Sequence, residues 1–121
     1  MKILEFAFVC YPVTDLKRAR AFYEGVLGFT REAKPDDDER IWFEYEVGPH
    51  TFSIGSHESF KPSNDGPSLA LEMDDFAESV AHLKKQNVKF QMEPIETPVC
   101  HMAMIQDPDG NKLVIHKRKS A

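Results

Sequence analysis

Residues 13–29, VTDLKRARAFYEGVLGF, read as one helix with its own punctuation. Asp15 stands where an N-cap carboxylate accepts the first free backbone N–H groups. Leu16, Ala19, Phe22, Tyr23, Val26 and Leu27 then recur at helical spacing on one face. Gly28 follows the last apolar residue, at the place of a left-handed stop. The same grammar returns sixty residues later, half of the 121-residue chain. There Asp74 or Asp75 opens a helix with Phe76, Val80 and Leu83 inward, and Asn87 takes the stop.

Strand-like runs surround both helices. Ile3 to Tyr11 is β-branched and aromatic and is ended by Pro12. Arg40 to Val47 sets Ile41, Phe43, Tyr45 and Val47 against Trp42, Glu44 and Glu46 with a period of two, and Thr51 to Gly55 follows after Gly48-Pro49. Ser68 to Met73 precedes the second helix; Val88 to Met92, Cys100 to Gln106 and Lys112 to Lys117 follow it. This order predicts an α+β fold, one domain of two tandem βαβββ modules at about 1–57 and 68–121, joined by a polar linker at about 58–67. Each helix covers one face of its sheet. Two such modules side by side bend into a partly closed barrel whose inner faces line a central cleft, the natural place for a small-molecule site.

Composition narrows the function classes. With 41% apolar and 29% charged residues and a net charge of −5, the chain has the make-up of a soluble globular protein. Its acidic balance disfavours nucleic acid and anionic membranes as partners. No apolar run approaches the roughly 20 residues that span a bilayer, and no signal-peptide pattern opens the chain. Cys10 and Cys100 belong to no CxxC pair and read as reduced thiols of a cytoplasmic protein.

Val13-Thr14-Asp15-Leu16, Ala21-Phe22-Tyr23-Glu24 and Val26-Leu27-Gly28-Phe29 resemble the first helix of the vicinal oxygen chelate superfamily, which includes glyoxalases, bleomycin-resistance proteins and dioxygenases. Asp107-Pro108-Asp109-Gly110-Asn111 is similar to the turn joining that family's last two strands, and the tandem βαβββ order is its architecture. On its own residues the DPDGN segment is a turn: Asp and Asn accept turn hydrogen bonds, Pro presets φ, and Gly takes the left-handed conformation. The resemblance implies a homodimer and a divalent metal in the cleft, held by side chains of the first, fourth, fifth and eighth strands. Carried over residue by residue, those positions fall on Phe8, Ser53, Ser68 and Val114. None is a His or carboxylate, so this chain departs from the metal-binding pattern, and neither metal nor cofactor is expected.

Other chemistry is sparse. There is no GxSxG, Walker A or GxGxxG sequence. His82 faces outward from the second helix, while His50 and His57 flank a strand at loop positions. A shifted metal site of His101, His116 and Glu72 is conceivable without any recognised ligand spacing. Glu72 is the candidate catalytic group: desolvated in an apolar cleft, its pKa would rise toward that of a proton-transfer residue. The resemblance places Phe8, Ser53, Ser68 and Val114 inward, and strand phase adds Phe6, Trp42, Glu72 and His116 as cleft walls. Aromatic faces with a few carboxylates suit an organic ligand, including a cation. Three function classes follow: a metal-free protein that binds a small organic molecule, an enzyme using a shifted metal or a cleft carboxylate, and an assembly or regulatory protein. The first leads.

Overall fold

The computed structural model describes residues 1–120, which divide into two compact units, Met1–Pro62 and the residues from Ser63 onward. In the first, strand β1 (Val9–Pro12) leads into α1 (Leu16–Arg20), which continues as π-helical turns over Ala21–Val26. Asp15 caps α1 by accepting the Arg18 N–H at 3.0 Å. The widened turns show in Leu27 N–H donating to Phe22 O, five residues back, and the segment stops at Gly28 with φ of 78°. A short 3-10 turn (Asp37–Glu39) precedes β2 (Trp42–Val47) and β3 (His50–Gly55). The sheet order is β1-β3-β2, with β1 parallel and β2 antiparallel to β3.

Alternation along β2 settles the two faces of this sheet. Phe43 and Tyr45 are buried beneath the helix with Phe52, Ile54 and Tyr23, where an aromatic cluster joins Tyr23, Phe29, Tyr45 and Phe52 at centroid separations of 5.0 to 6.5 Å. Trp42 and Glu44 point to the opposite, open face. Ile41, expected in the buried row, precedes the strand and is exposed.

Two expectations for this unit need correction. The strand expected over Ile3 to Tyr11 is only Val9–Pro12, because its pairing begins at Val9 opposite Phe52; Ile3, Leu4 and Phe6 lie outside it and are exposed. The first βαβββ unit also has one strand fewer than its pattern requires. Residues 29–33 form no strand: Phe29 turns into the aromatic cluster, and Arg31 reaches across to Asp37.

The second unit has the full order: β4 (Leu69–Glu72), α2 (Phe76–Lys85), β5 (Phe90–Glu96), β6 (Cys100–Gln106) and β7 (Lys112–Arg118). Its sheet runs β4-β7-β6-β5, with only the β4–β7 pair parallel. Asp75 caps α2 through the Glu78 N–H at 3.0 Å, and Asn87, with φ of 59°, provides the left-handed stop. Ala103, Ile105, Leu113 and Ile115 are fully buried with Leu83 of α2. The 107–111 segment is a closed turn. The Asp107 carboxylate accepts the N–H groups of Asp109 and Asn111 and the Asn111 side-chain amide at 2.8–2.9 Å, and Gly110 sits at φ of 85°. Among the described residues no helix is long and apolar enough to cross a membrane.

Candidate functional site

The open face of the first sheet carries an aromatic corner. Trp42 stands opposite Gly55 on the neighbouring strand, and the absence of a side chain there lets the indole lie close to the backbone. A Cβ on Gly55 would stand 2.8 Å from Trp42 Cε3 and 3.6 Å from Cys10 Sγ. Phe8 meets the indole edge-on, with centroids 5.6 Å apart and planes at 90°. Both rings remain accessible, Phe8 at 50% and Trp42 at 36%. Cys10 and Glu44 join the same face through their register with Ser53. Burial pushes the Cys10 thiol pKa up; a hydrogen bond with Ser53 opposes this and the Glu44 charge adds to it. Ser53 itself is buried and donates to Val9 O at 3.2 Å, tying β3 to β1. Phe6, expected on this wall, is 91% exposed and is not brought to it.

The open face of the second sheet carries a polar pair. Glu72 and His116 are direct partners across the parallel β4–β7 ladder, and His116 Nδ1 donates to Glu72 Oε1 at 2.5 Å. The backbone N–H of Arg118 donates to the other carboxylate oxygen at 2.7 Å. These two bonds, the Arg118 amide first, hold the Glu72 pKa below the ordinary carboxylate value. The desolvated, raised-pKa acid expected from strand phase is therefore not what the fold builds: the carboxylate is an orienting acceptor. The contact with Glu72 uses Nδ1, so Nε2 is the ring nitrogen it leaves over. Met102 is the cross-strand neighbour of His116 on the same face, and Val114 lies two residues back, buried. Ser68 lies just before β4 and is exposed.

His101 is not part of this pair. It sits opposite Lys117, one position out of phase with Met102 and His116, and its ring packs on Phe76 of α2 with centroids 5.6 Å apart. The shifted set of His101, His116 and Glu72 is thus split between two faces of one sheet. The four positions at which the resemblance places metal ligands do not carry a fitting donor set. A phenyl ring, two hydroxyls and an isopropyl group occupy positions 8, 53, 68 and 114, and among the described residues no three His, Cys, Asp or Glu side chains gather to hold an ion.

A third constellation, absent from the sequence reading, lies on the helix side of the first unit. Arg20 donates to Glu24 at 2.7 Å, and Tyr45 OH donates to the same carboxylate at 2.8 Å. Arg31 clasps Asp37 with two bonds of 2.8 and 2.9 Å. The Arg20 and Arg31 guanidinium carbons lie 4.5 and 4.9 Å from the Phe43 ring centroid. Burial raises the Glu24 pKa, but the bonds from Arg20 and Tyr45 outweigh it and leave the pKa lowered. Burial, followed by the Glu24 bond, raises the Tyr45 pKa strongly. Only the i, i+4 spacing of Arg20 and Glu24 was available as a sequence signal for this network.

Comparison with known proteins decides the family. Residues 5–115 match the model of the Glyoxalase/Bleomycin resistance protein/Dioxygenase superfamily. The chain belongs to that superfamily. Lactoylglutathione lyase of Salmonella typhimurium is 28% identical, over 90% of this chain and 89% of its own length. TnmS3, an antibiotic binding protein from Streptomyces sp. CB03234, superposes with a TM-score of 0.77 at 26% identity, covering 98% of this chain and 99% of its own. A superfamily member from Sphaerobacter thermophilus superposes with a TM-score of 0.76 at 22% identity, covering 95% of this chain and 98% of its own, a likeness of fold. The tandem α+β architecture expected from the sequence is the superfamily's own.

Proposed function

We propose that the protein binds a small organic molecule without the help of a metal, using the Phe8–Trp42 corner as its aromatic wall. The carrying observation is that this solvent-accessible pair stands edge to face on an open sheet face, next to the Glu44 carboxylate. Two accessible rings beside one negative charge suit a planar or cationic organic ligand through stacking and cation–π contact. The likeness to an antibiotic binding protein supports this reading, as does the lack of donors at positions 8, 53, 68 and 114. A thermal-shift screen of antibiotics and aromatic metabolites tests it. A ligand at about 100 times its Kd adds about 2.7 kcal/mol of stability. Trp42→Ala should cut that shift to about half or less and His116→Gln should leave it; a shift insensitive to Trp42→Ala refutes the proposal.

The oriented Glu72–His116 pair favours a second reading, an enzyme in which His116 Nε2 accepts a proton from bound substrate. Deuterium carried from solvent into a bound compound, and lost in His116→Gln, is its signature. A second copy of the chain as partner belongs to the same proposal, since Ile3, Leu4 and Phe6 leave an exposed apolar segment beside edge strand β1. Light scattering that shows only monomer at about 100 μM removes that part.

A further inference from the structure

A groove of about 550 Å³ lies on the helix side of the first unit, away from the Trp42 face, between the α1–π segment and the Asp37–Arg40 turn. Its floor is the Phe43 ring with the Arg20 guanidinium over it, and its helical wall is formed by Leu16, Ala21 and Gly25. Gly25 is informative because nothing requires a glycine there. Its φ is not positive, and a Cβ would meet no atom within 4 Å. A larger residue would fit the backbone and fill the groove.

The polar lining is unequal in what it still offers. The two carboxylates nearest the floor are engaged: Glu24 by Arg20 and Tyr45, and Asp37 by Arg31 and the Lys34 N–H. The donors are not exhausted. Arg40 uses its Nε on Asp36, leaving its terminal nitrogens, and the Lys17 ammonium stands exposed at the rim. Asp38, also exposed, is the one lining carboxylate outside the network. The lining cations Lys17, Arg20 and Arg40 match Glu24, Asp37 and Asp38 in number, and Arg31 beside the Phe43 ring is offset by Asp36, which holds Arg40, so the groove is balanced in charge.

We infer that this groove is a second binding site, for an organic monocarboxylate whose apolar body rests along Leu16, Ala21 and Gly25 and whose carboxylate takes hydrogen bonds from the Lys17 ammonium and the terminal nitrogens of Arg40. A lining with no excess positive charge offers its unsatisfied donors to a monoanion rather than to a phosphate dianion. Fixed guanidinium planes receive a carboxylate with little further ordering. The volume falls in the range of small-molecule sites.

The test is an amide NMR titration of the whole protein with 2-naphthoate, with 2-naphthylmethylammonium as the cationic counterpart. The amides of Ala21, Gly25 and Asp38 should shift and saturate with a Kd at or below about 1 mM, and the ammonium compound should not saturate them. Gly25→Phe should weaken 2-naphthoate at least about tenfold while the spectrum stays dispersed. If that variant loses its fold, the exposed substitution Lys17→Glu should weaken binding several-fold instead. Shifts that do not saturate by about 5 mM, equal binding of the ammonium compound, or full affinity in the folded variant would each overturn the inference. Saturating shifts confined to Trp42 and its neighbours would overturn it too, without touching the proposal for that face.

Discussion

Gly55→Ala isolates the contact that shapes the aromatic corner. The new methyl carbon would stand 2.8 Å from Trp42 Cε3 and 3.2 Å from Cζ3, whereas carbon atoms rest at about 3.5–4.0 Å. The indole must therefore retreat by roughly 0.7–1.2 Å, since the methyl is anchored in the central strand β3. No left-handed strain opposes the substitution, because Gly55 is not among the positive-φ glycines. Overpacking costs about 1–3 kcal/mol in a closed core, while Gly to Ala at a compatible backbone returns about 0.4–1 kcal/mol through the unfolded state. Trp42 is accessible and can swing outward, so the net loss should lie at the low end, about 1 kcal/mol or less. The larger effect is on the ring itself. Displaced from Phe8, Trp42 should emit further to the red and be quenched more readily by acrylamide, and as the only tryptophan it reports without interference. Unchanged emission and quenching, with stability equal to or above the parent, would refute the packing of Trp42 on Gly55.

Other consequences follow from burial and charge. Leu113→Ala, fully buried between Leu69 and Ile105 in the second sheet, should lower unfolding stability by about 2–5 kcal/mol in urea titration, with unchanged m. Tyr45→Phe removes the hydroxyl that donates to Glu24 and should cost about 1.5 kcal/mol by the same measurement, near the low end for a bond to a charged acceptor because Glu24 keeps Arg20. The Asp37 pKa is strongly lowered, first by the Arg31 bonds, so its contribution is complete above the unfolded value near 4 and is lost as pH falls through the folded one. Stability measured from about pH 5 downward should decline less steeply in Asp37→Asn than in the parent, and parallel acid limbs would contradict the Arg31–Asp37 assignment.

Local signals were legible in the sequence wherever a residue acts on its own segment. Asp15 and Asp75 cap the helices because an N-cap needs only the following turn, and Gly28, Asn87 and Gly110 take left-handed backbone that their neighbours cannot. The phase of Trp42 could be read because Phe43 and Tyr45 make an unmistakable buried row. Non-local pairing was not legible. Nothing in Ile3 to Tyr11 says that its pairing with β3 begins only at Val9 opposite Phe52, so the expected strand was too long and Phe6 was placed on a wall that it does not reach. The facing of His101 was open because β6 is apolar on both faces, Met102 and Met104 on one and Ala103 and Ile105 on the other. Glu72 and His116 meet only because a parallel ladder sets residues 44 apart in register, which makes the expected desolvated acid a hydrogen-bonded acceptor instead. The Arg31–Asp37 clasp likewise depends on where the chain between them turns, and no periodicity records that.

The most direct test of the proposed function is a fluorescence titration of EDTA-treated protein with whichever aromatic or cationic compound the thermal screen selects, repeated in Trp42→Ala with calorimetric detection. The account predicts saturable binding without added metal at a Kd of about 100 μM or tighter, weakened at least about tenfold by the substitution. Binding that appears only when a divalent ion is restored, or that changes by less than about twofold in Trp42→Ala, would contradict it.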